Sequence, residues 1–396
     1  MSGLSFNKNL MLTNSSIKPS LIKKSALVLI FFFLSLQSYY FYNIGIAPFP
    51  LVSLIGIIVF SDRNRISNQI KIYSFSLFIL FTISSLWGFF FQLDLYYVNS
   101  VIGIYLGTFI LIFTTKFLKS YNIDLIYRVL AIVLIIHLIC FWLQFGLYML
   151  IGVNLDFLEF VTGEASRFEA YGAISGLIRA TGVFNEPATY SYYIFTIVYL
   201  RFLCFKKINW FDQFALISIL FTLSLSGFFL YSFFQFYYWV LFKGNINSIV
   251  FFSILIFIVF YIVQFVFEDT INLYLVSRLS DAENDNSMNT RFSDGIIYFI
   301  NLPLNYVFFG LGVGNYTKNI STTASGWMSI ITTFGIVPGA SFLFITFKYL
   351  KYLRVKFVIV IPLIILLFST ITPMQVIFWV VLSFFVVSNS NIEINA

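Results

Sequence analysis

The chain is a succession of long apolar runs separated by charged or turn-rich breaks. A membrane-crossing helix needs about 20 mostly apolar residues, within a range of roughly 17–25. Runs of that kind fall at 25–43, 44–60, 72–91, 100–115, 129–151, 187–205, 211–225, 228–242, 248–267, 326–347, 357–370 and 374–389. Some are short. The stretch 211–242 is either one long helix or two short ones broken at Ser224-Leu225-Ser226-Gly227, and 357–389 is divided in the same way at Thr370-Ile371-Thr372-Pro373.

Charge arbitrates. With twelve spans and a cytoplasmic N-terminus, only Arg167, Arg179, Arg278, Arg291 and Lys318 of the 23 Lys and Arg residues fall outside. The rest lie inside, which is the asymmetry of the positive-inside rule. Joining 211–242 into one span would put Lys243 and the segment after it on the wrong sides. The pattern predicts an all-α integral membrane protein of about twelve spans, or ten if two short pairs are re-entrant, with both termini cytoplasmic. Its organisation is a cytoplasmic segment at 1–24, five spans in 25–151, a first long outside loop at 152–186, and four spans in 187–267. A second long outside loop follows at 268–325, then three spans and a cytoplasmic C-terminus in 326–396. Lysines precede the first apolar run and no small-residue cleavage site follows it, so it reads as a retained span rather than a secretory signal.

Composition agrees. Of 396 residues 60% are hydrophobic and 10% charged, against about 45–50% and 25% in soluble domains. Disorder, a coiled coil and a nucleic-acid-binding module are excluded on the same numbers, and the net charge of +7 follows from the inside lysines and arginines without an acidic partner. Cys140 and Cys204 sit in apolar runs with no metal or disulfide spacing. The single histidine, His137, lies inside the fifth span, so no metal site is expected. The central thirds of the spans are almost free of charge, whereas ion-coupled carriers need ionisable groups at membrane depth. Chemistry is therefore expected at the outer surface, in the two long loops.

Three constellations stand there. The first is Arg179-Ala-Thr-Gly182-Val-Phe184-Asn-Glu186-Pro187. Pro187 suits the first turn of the following helix, Glu186 the positive end of its dipole, and Gly182 a turn that folds Arg179 back. A guanidinium grips phosphate oxygens with two parallel bonds; the plainer alternative is a helix cap beside an interfacial arginine. The second runs from Arg291 through Asp294 and Tyr298 to Pro303 and on to Gly310, Gly312 and Gly314. Phe292, Ile296, Phe299 and Ile300 fall near helical spacing, predicting a short helix along the membrane surface. The glycines allow close backbone approach or mark a flexible loop; they are neither a P-loop nor a dinucleotide fingerprint. The third, Ser325-Gly326 through Gly335 and Gly339, places small residues at helix-packing positions. His137 reads as a structural histidine.

In their order, these pieces resemble the O-antigen polymerase and O-antigen ligase superfamily of bacterial surface-polysaccharide assembly. The resemblance rests on Arg-x-x-Gly-x-Phe-x-Glu-Pro at 179–187, Ser-x-Ser-Gly at 224–227, the arginine-started segment leading to Gly-x-Gly-x-Gly at 291–314, and Gly-Ile-x-x-Gly at 335–339. It covers roughly 175 to 345; the first five spans match only in hydropathy. It implies a GT-C-like membrane glycosyltransferase without metal or other cofactor. Such an enzyme joins undecaprenyl-pyrophosphate-linked oligosaccharides on the outer face of the bacterial inner membrane, among membrane lipids, with a chain-length regulator as a partner. Arg179 and Arg291 would bind the donor pyrophosphate. Glu186 would act as general base or orient Arg179, and an adjacent arginine lowers a carboxyl pKa, which favours orienting. Arg167, Arg278, Asp294, Tyr298 and Ser325 would contact phosphate or sugar. The ligase branch carries a histidine where this chain has Ala324, which favours polymerase over ligase. A lipid-linked oligosaccharide flippase is the competing class; it would need a basic cavity through the membrane middle.

Overall fold

The computed structural model describes residues 21–36, 48–61, 67–90, 95–163, 165–166, 178–243, 250, 254, 261, 293–313, 326–368, 371–373 and 375–390. The described residues are helices and their connections, without strands. In chain order the helices are α1 (Leu21–Ser35), α2 (Pro48–Phe60), α3 (Asn68–Phe89), α4 (Leu95–Ser120), α5 (Ile123–Ile151), α6 (Phe157–Thr162), α7 (Pro187–Phe205), α8 (Trp210–Leu220) and α9 (Leu225–Phe236). A π-helical turn, Tyr237–Phe242, continues α9. Then come α10 (Ser293–Ile300), α11 (Leu304–Phe309), α12 (Gly326–Phe334), α13 (Ile336–Tyr352), α14 (Phe357–Leu367) and α15 (Val376–Ser390). Asn68–Phe89, Val101–Ser120, α5 and α7 are long and apolar enough to cross a membrane; Phe49–Phe60, α8, α14 and Val376–Val386 are shorter apolar helices. The chain is thus an all-α protein with the helices of a multi-pass membrane protein. The expected span at 248–267 falls almost wholly outside the described residues.

Helices that are apolar all round are buried ones, and α7 and α15 form the centre. Residues 190–204 of α7 and 376–385 of α15 are buried throughout. Around them α3 and α2 turn residues such as Ile55, Phe75 and Ile83 outward, as a lipid-facing surface would. The expected division of 211–242 is present: α8 ends at Leu220, and α9 starts after a turn in which Leu223 takes φ +50°. A leucine there costs roughly 1–2 kcal/mol, so the turn is held by its surroundings. The division of 357–389 is present as the gap between α14 and α15. The expected single span at 326–347 is broken at Gly335, which has φ +67°.

Short contacts order the ends of the bundle. Thr82 Oγ1 lies 2.8 Å from Tyr105 Oη, pairing late α3 with early α4. Arg201, near the end of α7, donates to the Tyr127 carbonyl in the first turns of α5 at 2.8 Å. Tyr73, early in α3, stacks on Tyr349, late in α13, at 4.2 Å. One end of the bundle, the top, therefore holds the end of α3 and the starts of α4 and α7, together with the end of α12. The bottom holds the ends of α4, α7 and α13. Among the described residues every Lys and Arg except Arg179 belongs to the bottom.

The bottom also contains a buried ion pair. Arg201 Nε lies 2.6 Å from Asp212 Oδ1, and each side chain is 1% exposed. The guanidinium sits 3.9 Å from the Tyr127 ring centre. Asp212 closes a reciprocal cap with Asn209 at the start of α8, and Asn209 Nδ2 donates to Tyr127 Oη at 3.0 Å. Sequence placed Arg201 among the inside cations; it is also the bolt joining α5, α7 and α8.

Candidate functional site at the top of the bundle

The segment before α7 is a built turn. Gly182 adopts φ +59°, a conformation glycine reaches without steric cost. The backbone N–H groups of Thr181 and Gly182 then both donate to Oε1 of Gln144 on α5, each at 2.8 Å. The Phe184 N–H donates back to the Thr181 carbonyl at 3.1 Å. Phe184 is fully buried. Its ring stacks on Tyr193 of α7 at 4.8 Å and on His137 of α5 at 5.2 Å. His137 in turn lies 2.8 Å from Ser35 Oγ at the end of α1. Because Ser35 Oγ donates to the Phe32 carbonyl at 2.6 Å, the imidazole Nε2–H is the donor between the two side chains. The sequence expectation of a structural histidine holds: His137 backs the ring that anchors this turn.

Arg179 and Glu186 flank the turn, both half-buried. Glu186 is the N-cap residue of α7, with Pro187 in its first turn, and its carbonyl accepts from the Tyr190 N–H at 3.1 Å. Its side chain makes no capping hydrogen bond, so the carboxylate stands at the dipole end without closing the helix.

The Ser-x-Ser-Gly stretch packs against the start of α7, the helix this turn leads into. Ser191 Oγ, one turn into α7, donates to the Pro187 carbonyl at 3.0 Å and lies 3.2 Å from Thr222 Oγ1. A Cβ on Gly227 would come within 2.9 Å of Ser191 Oγ and of the Ile219 carbonyl. Ser224 and Ser226 face each other through their hydroxyls at 2.7 Å. Residues 179–187 and 224–227, separate in sequence, are linked through Ser191 into one unit.

The second glycine-bearing region forms another. The helix break at Gly335 leaves the last carbonyls of α12 without helical donors. Two are taken by the chain after α11: Leu311 N–H donates to Thr332 O at 2.8 Å and Gly312 N–H to Thr333 O at 3.0 Å. Trp87 Nε1, at the end of α3, donates to the Gly310 carbonyl at 3.0 Å. The approach is close enough that a Cβ on Gly310 would lie 2.2 Å from Thr333 O, and one on Gly335 2.2 Å from Gly310 N. Of the two sequence readings, close backbone approach or a flexible loop, the first holds at 310–313, which form a buried clasp between α3 and the α12–α13 break. The short helix predicted in this segment is present as α10, with Tyr298 and Phe299 packed on Met328 of α12 and Ile296, Ile297 and Ile300 exposed.

Both units lie at the top, the end that carries Arg179 and none of the other described cations. Asp294 is on α10. Arg167, Arg278, Arg291, Ser325 and Gly314 lie outside the described residues. In the first long loop α6 is organised by Asp156, whose Oδ1 accepts from the Leu158 and Glu159 N–H groups at 2.9 and 3.1 Å and Oδ2 from the Ser166 N–H at 2.6 Å. Among the described residues no group of three or more His, Cys, Asp or Glu is gathered as a metal site would require. Sequence reasoning missed Gln144, whose one available signal was a polar amide inside the apolar 29-residue helix α5. No protein-family model and no curated protein matches the chain.

Proposed function

We propose that this chain is a polymerase that joins undecaprenyl-pyrophosphate-linked oligosaccharide repeat units into O-antigen or a related surface polysaccharide. In this reading the chain makes about twelve crossings of the bacterial inner membrane, its basic bottom faces the cytoplasm, and its top faces the periplasm. Arg179 and Arg291 neutralise the pyrophosphate leaving group as the glycosidic bond breaks, stabilising charge where it grows. Glu186 orients Arg179; Arg167, Arg278, Asp294, Tyr298 and Ser325 contact phosphate or sugar. A chain-length regulator is the expected protein partner.

The observation that carries the reading is the arrangement of Arg179. It enters a turn fixed by two α5 side chains, and the carboxylate at the other end of that turn, Glu186, does not cap its own helix. A mere cap would use that carboxylate, and a mere interfacial arginine needs no such frame. The test is to replace Arg179, Glu186 and Arg291 singly in the producing cells and separate the surface polysaccharide on a gel. The expected result is loss of the long-chain ladder in each; full-length ladders from all three variants would refute the assignment.

A further inference from the structure

Arg179 belongs to a stretch, 178–181, that has no secondary structure of its own, so its place must be set from elsewhere. Gln144 is fully buried in α5. Its Oε1 accepts two consecutive backbone N–H groups, Thr181 and Gly182, at 2.8 Å each, and the Thr181 hydroxyl at 3.5 Å. Successive N–H groups converging beside a left-handed residue form a concavity that elsewhere binds anions. Here the concavity faces into the bundle and is filled by a neutral amide oxygen. The amides of this turn are therefore engaged, and anion contact from the segment falls to the Arg179 side chain.

Only half of the Gln144 amide is used: among the described residues its Nε2 has no hydrogen-bond partner. An amide at depth in an apolar helix is costly, and this one is placed for its oxygen. Seven residues earlier on the same α5 face, His137 fixes the Phe184 ring. We infer that Gln144 is a positioning residue: through its single oxygen it sets where Arg179 meets the anionic headgroup. The inference rests on the glycosyl-transfer reading for what Arg179 does, and on geometry alone for what Gln144 does.

The test separates the two. Gln144→Glu keeps an oxygen acceptor of equal reach; Gln144→Met keeps the length and removes the acceptor. Each is made with a nitroxide at Arg179→Cys, in a chain carrying Cys140→Ala and Cys204→Ala, and the spectrum reports mobility at position 179. Each is also made with Arg179 intact and assayed for surface polysaccharide. The expected result is a mobile nitroxide and polymer reduced on the order of 100-fold for Gln144→Met, the loss that follows a misplacement of about 1 Å, with Gln144→Glu like the parent in both. An unchanged nitroxide spectrum in Gln144→Met overturns the inference. A mobile nitroxide with normal polymer upholds Gln144 as the anchor and instead refutes the glycosyl-transfer role of Arg179. Should Gln144→Met fail to accumulate, Gln144→Asn, which withdraws the oxygen by one methylene, carries the same comparison.

Discussion

Replacing Asp212 with asparagine should destabilise the bundle by about 3 kcal/mol. Removing one partner of a buried ion pair costs roughly 3–5 kcal/mol, because the other charge stays buried without compensation. Asp212 and Arg201 are each 1% exposed and meet at 2.6 Å, so solvent does little to screen the loss. Two features place the expected value at the lower end. Asparagine keeps an oxygen for the Asn209 N–H, which Asp212 Oδ2 now accepts at 3.1 Å, so the cap of α8 survives. Arg201 also keeps the Tyr127 carbonyl at 2.8 Å and the Tyr127 ring face at 3.9 Å. Asp212→Ala should cost about 1 kcal/mol more, since it also removes the acceptor for the Asn209 N–H, the reciprocal half of the cap. The assay is equilibrium unfolding of purified protein in mixed micelles, followed by tryptophan fluorescence. Adding Arg201→Met to Asp212→Asn removes both charges and should restore at least half of the stability, as coupled sites are not additive. A loss below about 1 kcal/mol for Asp212→Asn, or a double variant as weak as the sum of the singles, would refute the role given to this pair.

Gly335→Ala should cost roughly 3 kcal/mol or more in the same assay, because the residue sits at φ +67° with Gly310 N 2.2 Å from the new Cβ and the two clasp hydrogen bonds must open; a loss under about 1 kcal/mol contradicts the clasp. Phe184→Ala should lose about 3–5 kcal/mol and release the turn before α7, read as faster proteolysis within 178–187. Lys206, just past the end of α7, donates Nζ to the Leu203 carbonyl at 2.7 Å, and burial pushes its pKa from 10.5 down to about 7. The unfolded chain then binds more protons between those values, so stability should rise as pH increases from about 7 to about 10.5 and level off below 7. In Lys206→Met that rise should be reduced; an unchanged slope would dismiss the assignment.

How much was legible in the sequence depended on where the deciding force acts. The bounds of α7 were read correctly, because Pro187 is a local start signal and Lys206 a local charged stop. The break of 211–242 was visible because Ser224, Ser226 and Gly227 cluster beside it, although the turn itself lies at 221–224 and Ser226 and Gly227 belong to α9. The break at Gly335 was not. Hydropathy averages over it, and the broken end is tolerable only because Leu311 and Gly312, distant in sequence, supply the missing donors. Charge counting put Arg201 at the inside face but could not pair it with Asp212, since pairing depends on the rotational phase of α7 against α8. The motifs marked 179–187, 224–227, 310–314 and 335–339 along the chain but not which of them meet, because each of those contacts is set by tertiary packing. Gln144 was missed for the same reason: the polar amide inside α5 was visible, but its partners are backbone amides, which carry no sequence signature.

The most direct measurement is made on purified protein reconstituted in lipid vesicles with polyprenyl-pyrophosphate-linked repeat units as sole substrate. Glycans of two or more units and free polyprenyl pyrophosphate should form together, and both should vanish with Arg179→Ala. Transfer of the lipid-linked units across the bilayer without elongation, or elongation undiminished in Arg179→Ala, would contradict the account.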